Sequence, residues 1–119
     1  ILAGKILSVV KYVMSPGAWR IHDRDDDGKV NLCSVEGIDP SRVDPALVAC
    51  AIKAGAAIGN SLYGIDIKEI DGSYLVIEVN DNPNIDAGSE DQNNPEVYRN
   101  VIRHLAGEPW EGWIVAPRP

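Results

Sequence analysis

Apolar and polar positions along the chain follow two rhythms. The first is β-type. The opening stretch ILAGKILSVVKYVM reads as two strands around Ala3-Gly4-Lys5, the second running from Ile6 to Met14 and rich in Val and Ile. Ser15-Pro16-Gly17 is a turn signal. AWRIHDR then reads as a strand, DDDG as a tight turn and KVNLCSVE as the returning strand, since Asp-Gly between β-prone runs favours a hairpin. GIDIKEI and SYLVIEVN repeat the arrangement around Asp71-Gly72. The second rhythm is helical. Asp44-Pro45 supplies a capping side chain and a first-turn proline. Leu47, Ala51, Ala54, Gly55 and Ile58 then form one stripe, and Gly59-Asn60 is a stop. The small residues of that stripe predict a helix lying close against a sheet. Asn94-Pro95-Glu96 opens a second helix with Val97, Val101, Ile102 and Leu105 as its apolar stripe, and Gly107 ends it. Arg103 and His104 fall in its last turn, where positive charge suits the helix dipole. The order β-β-β-β-α-β-β-α predicts an α+β fold, a mainly antiparallel sheet packed by two helices. Residues 1–106 make one domain, and 107–119 form a Pro-punctuated tail. Trp110 and Trp113 in that tail either cover an edge of the core or form an exposed patch.

At 119 residues, one core is expected. A net charge of −7 and a pI near 4.6 argue against a nucleic-acid surface, which needs clustered Lys and Arg. No apolar run approaches the ~20 residues of a membrane span. Cys33 and Cys50 lack metal-type spacing and read as free thiols in a reducing, cytoplasmic setting. The chain starts without Met and its hydrophobic pattern begins mid-stride, so it reads as a piece of a longer protein, although a processed start would look the same.

The candidate chemistry lies in YLVIEVNDNPNID, residues 74–86, where an apolar strand runs into Glu78 and Asn80. Alternation puts Ile65 and Ile67 on one face of their strand and Asp66, Lys68 and Ile70 on the other. On the next strand it groups Leu75, Ile77 and Val79 against Tyr74, Val76, Glu78 and Asn80. The apolar faces can coincide only if Asp66 lies opposite an even-numbered position such as Glu78. That requires an odd loop, Asp71-Gly72-Ser73, because a two-residue Asp-Gly loop would place Asp66 opposite Ile77. Asp66, Glu78 and Asn80 then share one face. Close carboxylates repel unless positive charge lies between them, and two carboxylates with an amide oxygen suit a hard cation such as Mg2+. The other reading pairs Asp66 with a lysine such as Lys68 and leaves Glu78 in solvent.

Residues 61–91, together with Asn60, resemble the C-terminal core of ATP-grasp carboxylate–amine ligases, and of their RimK-like branch most of all. In that family a G-V/I-D strand is followed by an E-V/I-N strand whose Asp, Glu and Asn hold the magnesium of MgATP. The motif falls here on Asp66, Glu78 and Asn80. Lys11, Tyr12, Met14, Gly17, Trp19 and Ile21 are similar to an upstream pattern of the same branch, so the likeness spans most of residues 1–106. The resemblance implies an ATP-dependent ligase using Mg2+, or Mn2+ in its place, that joins a carboxylate to an amine through an acyl phosphate. It implies Glu78, Asn80 and Lys11 at the nucleotide, and Lys11 and Arg20 as cations near the phosphates. It also implies a preceding subdomain carrying the adenine pocket and a glycine-rich loop, so this piece alone is expected to be nearly inactive. An oligomer stays open. Ligase relatives often read E-x-N-x-S-P-G where this chain has Asn82 and Asn84 around Pro83. The Asn82 and Asn84 side chains are therefore either substrate contacts or turn caps. Asp86, Glu90 and Asp91 are either substrate contacts or solvated acids.

A second function class is a non-catalytic acidic module binding calcium at Asp23-Arg24-Asp25-Asp26-Asp27-Gly28, which matches the first half of an EF-hand loop. The twelfth position is Ser34 rather than Glu, and strand-like flanks argue for a solvated hairpin turn. His22 and His104 lack ligand-spaced partners.

Overall fold

The computed structural model describes residues 1–14, 22–24 and 30–113. The Ser15-Pro16-Gly17 turn, the Asp25-to-Gly28 turn, the start of the AWRIHDR strand and the end of the tail lie outside these residues.

β1 (Val10–Val13) pairs antiparallel with β4 (Ser34–Gly37), with Val10 opposite Gly37 and Val13 opposite Ser34. β2 (His22–Arg24) pairs antiparallel with β3 (Val30–Leu32). The returning strand expected as one run is divided at Cys33 into β3 and β4. The first predicted strand is reduced to bridges: Leu2 pairs with Lys5 across a tight Ala3-Gly4 turn, and also with Leu62. Ile6 does not start β1 either. Its N–H and C=O are taken by Trp113 of the tail, at 3.3 and 3.0 Å. The described strands thus form three antiparallel pairs, in an α+β architecture with two helices.

α1 (Pro45–Ile58) begins where the capping logic places it, with Asp44 Oδ1 accepting from the Ala46 N–H at 2.8 Å. Val48, Ala51 and Gly55 are buried, whereas Ile58 is 62% exposed past the end of the packed stripe. α2 (Val97–Leu105) departs further from its predicted stripe. Its inner face is Val97, Asn100, Val101 and His104, an i, i+3, i+4, i+7 set, while Ile102 and Leu105 are 65% and 79% exposed. A polar residue can take the inward place because the tail satisfies it: Asn100 Nδ2 donates to the Glu111 carbonyl at 3.3 Å.

Two apolar clusters hold the layers. Leu2, Leu7, Val97 and Trp110 form one, with Ile85 and Val101 against it. Ile6, Val43, Val48 and Ala51 form the other, joined by Ile65, Ile67 and Trp113. Both tail tryptophans therefore cover the core. The Lys5 ammonium lies 4.9 Å from the centre of the Trp110 ring and donates to its carbonyl.

β5 (Gly64–Ile70) and β6 (Ser73–Asn80) form the hairpin that carries the acidic strand. Ile70 pairs with Ser73, so the loop is the two-residue Asp71-Gly72 and not the predicted odd loop. Both loop residues have positive φ, 51° and 73°, as a type I′ turn requires. The parity problem is solved elsewhere. Ile67 pairs with Val76 but Asp66 pairs with Glu78, which leaves Ile77 as the extra residue of a β-bulge. Past the bulge the faces of β6 exchange. Tyr74, Val76 and Val79 are half-buried with Ile65 and Ile67, and Leu75 and Ile77 are 54% and 61% exposed. Asp66 thus faces Glu78, an even-numbered partner as expected, but the expected inward face of Leu75, Ile77 and Val79 is not formed, because only Val79 lies past the bulge.

Trp110 sits in the first cluster although it follows both helices. Trp110→Ala should lower unfolding free energy by about 3–5 kcal/mol. Urea denaturation followed by circular dichroism checks this, and a loss below about 1 kcal/mol would mean the tail does not close the core.

Candidate functional site

The outward face of the β5–β6 hairpin brings three of the candidate residues together. Asp66 and Glu78 are direct cross-strand partners. Asn80 pairs with Gly64, two positions along each strand, and so shares their face. All three side chains are exposed, with Lys68 and Leu75 paired farther along the same face. Across such a pair the Cβ atoms lie about 4.5–5.5 Å apart, close enough for both carboxylates to reach one cation. The donor set is entirely oxygen, which suits magnesium or manganese. Among the described residues no group of three or more His, Cys, Asp or Glu side chains is placed to hold a metal. The set here consists of two carboxylates and an amide oxygen.

The loop after β6 is braced by its own side chains. Asn80 Oδ1 accepts from the Asn82 N–H at 2.9 Å. Glu90 Oε2 accepts from the Asp86 N–H at 2.8 Å and Asp91 Oδ1 from the Gly88 N–H at 2.6 Å. These acids therefore have structural partners within the loop. Asn82 and Asn84 are exposed, and Asn82 enters the turn through its backbone, with the cap coming from Asn80. The loop is also tied to the first strands. Ser8 Oγ donates to the Glu90 carbonyl at 2.6 Å, the Gly37 N–H to Gln92 Oε1 at 2.8 Å, and Asn94 Nδ2 to the Leu7 carbonyl at 2.6 Å. These three bonds, which no sequence pattern announces, set the acid-bearing hairpin and the β1–β4 pair in one frame.

β1 contributes Tyr12 to the acidic side. Burial, then the charges of Glu90, Asp66, Cys33 and Asp86, raise its hydroxyl above the ordinary value of 10.0. Tyr98 is raised by burial and by Asp91, Glu90 and Asp86. Lys11 is exposed and lies directly opposite Glu36. Adjacent strand residues face opposite ways, so Lys11 and Tyr12 do not share a face. Arg20 lies outside the described residues, as do Gly17, Trp19 and Ile21 of the upstream pattern, and Asp25 and Asp27 of the calcium reading. Cys33 and Cys50 are free and half-buried, and His104 packs edge-on against Trp110. No described helix is long and apolar enough to cross a membrane.

A family model for the RimK-like ATP-grasp domain matches residues 5–105, which takes in the hairpin, the braced loop and both helices. The chain belongs to the RimK-like ATP-grasp family. No curated protein and no solved structure matches it. ATP-grasp proteins of this branch are ATP-dependent carboxylate–amine ligases, and the family generally uses ATP with Mg2+. The α+β architecture of antiparallel pairs and two helices is part of that ATP-grasp fold.

The raised tyrosines of this RimK-like domain give its stability a pH dependence. Tyr74 is raised as well, chiefly by donating to Asp44 Oδ2 at 2.9 Å. A folded-state pKa above the unfolded 10.0 means the native state holds its proton more tightly. That stability is complete below pH 10 and declines as the unfolded chain ionises first above it. Burial lowers the Ile1 ammonium from 8.0 to about 6, so the denaturation midpoint should rise with pH between those values, then fall above about pH 10 through the tyrosines, with a smaller fall in Tyr12→Phe.

Proposed function

We propose that this domain is the metal- and phosphate-holding part of a ligase that joins a carboxylate to an amine as an amide or peptide bond. The observation that carries the reading is the direct pairing of Asp66 with Glu78, with Asn80 on the same face, inside a RimK-like ATP-grasp domain. A divalent cation held by these oxygens would supply the positive charge that the β- and γ-phosphates of ATP need during transfer.

In this reading the carboxylate oxygen of the first substrate takes the γ-phosphoryl group, and ADP leaves. The amine then attacks the acyl carbon, phosphate departs with the C–O bond electrons, and the amine loses its extra proton. The chain contributes position and charge. Asp66 and Glu78 would hold a divalent cation, which would supply positive charge at the phosphate end of the nucleotide, and Asn80 would add a neutral oxygen that limits the negative charge of the set. Lys11 is assigned to the phosphates on the family resemblance alone, since β1 sets it opposite Glu36 and on the other face from Tyr12. The loop from Asp81 to Asp86 borders Asn80 and is assigned to the acceptor side, where this chain departs from the usual ligase pattern.

The test is ATP turnover by the full-length protein with saturating MgATP. Glu78→Gln keeps size and hydrogen bonding but removes a charge, so kcat should fall on the order of 10²–10³-fold. Turnover like that of the wild type would remove the metal assignment. Lys11→Met removes a cation without removing a metal ligand. It should lower kcat about tenfold or more with the Mg2+ dependence unchanged, and an unaltered kcat would take Lys11 out of the site.

A further inference from the structure

Gly64 ends the hairpin ladder opposite Asn80. A Cβ at this position would lie 3.0 Å from Pro83 Cβ and 3.7 Å from Asn80 Cβ. Unbonded carbons rest at about 3.5–4.0 Å, so a side chain at position 64 would press Pro83 away by a few tenths of an ångström. One residue earlier, the Asn82 N–H donates to Asn80 Oδ1 at 2.9 Å. The proline ring limits rotation at position 83, so a shift of Pro83 is passed to the Asn82 peptide. The far side of the loop is anchored, because Ser8, Gly37 and Leu7 bond to Glu90, Gln92 and Asn94.

We infer that Gly64 is a positioning residue: its bare backbone seats Pro83, and the seated loop fixes the Asn80 carboxamide through the Asn82 N–H. The bond decides which end of the amide is held. An N–H can donate only to the oxygen, and an amide oxygen has a second lone pair left for a cation. A displaced loop would release the amide to rotate, and its NH2 would then compete for the place of the oxygen. The inference rests on the proposed role of Asn80 as a metal ligand. It adds two residues, Gly64 and Pro83, that touch no ligand and act through Asn80.

The experiment uses the ¹⁵N-labelled chain, with exchange of the Asn82 backbone N–H and Mn2+ broadening of the Asn80 side-chain NH2 as readouts. Gly64→Ala should speed Asn82 exchange and weaken the apparent Mn2+ affinity at Asn80 by about tenfold or more, as loss of an outer partner of a metal ligand does. Pro83→Gly adds no bulk and should produce the same two changes. The double variant should lose no more than Pro83→Gly alone, because the ring atoms that a methyl group at position 64 would meet are gone. Wild-type exchange and Mn2+ response in either single variant, or additive losses in the double one, would overturn the inference while leaving the metal reading in place. Absence of Mn2+ broadening at Asn80 in the wild type, or broadening that survives Asp66→Asn with Glu78→Gln, would overturn the metal reading and the inference with it.

Discussion

The candidate site depends on one unpaired residue, Ile77. A two-residue turn and an unbroken ladder would set Asp66 against Ile77 and turn Glu78 toward the helix layer. The bulge shifts the register by one, so that Asp66 meets Glu78 while Val76 and Val79 both pack inward. Leu75, paired with Lys68 on the turn side of the bulge, and Ile77 face outward in either register, so the bulge changes the place of Glu78 and Val79. An unbroken ladder would turn the Glu78 carboxylate inward and Val79 outward, and burying that carboxylate would be costly, which makes the bulged register the favourable one. Bulges often occur next to functional sites because they re-aim a side chain in this way.

The remainder of the fold holds that hairpin in place. α1 covers its inner face, and Asp44 both caps the helix and accepts from the Tyr74 hydroxyl, joining the helix start to β6. The braced loop carries the chain from Asn80 to α2, with bonds to residues 7, 8 and 37 on the way. The outward face of the hairpin, the loop after β6 and the β1–β4 pair are thus tied to one another by side-chain hydrogen bonds.

Much of this was legible in the chain. The Asp44-Pro45 start of α1, the stop after Ile58 and the hairpin around Asp71-Gly72 follow from local chemistry, and local chemistry survives folding. An even-numbered partner for Asp66 was also expected, but from a buried face of Leu75, Ile77 and Val79, of which the structure exposes the first two. The loop length was not legible, because a ladder can correct its parity anywhere along its length. The stripe of α2 was misjudged because Asn100 looks like a surface residue until the Glu111 carbonyl is beside it. Tyr12 gave no signal of its own, since its acidic neighbours come from β5 and from the loop after β6.

The amino-acid sequence by itself determined most of the element types, the candidate oxygen side chains Asp66, Glu78 and Asn80, and the membership of the ATP-grasp family, because each rests on residue identity at short spacing. Only the tertiary structure decided where the hairpin absorbs its extra residue, which face of α2 turns inward, and that Trp110 and Trp113 close the core. Those choices compare the burial of distant groups with one another, and no local stretch of sequence contains both sides of the comparison. Glu78 and Asn80 were recognisable from the strand they end; their common face with Asp66 exists because Ile77 stands outside the ladder.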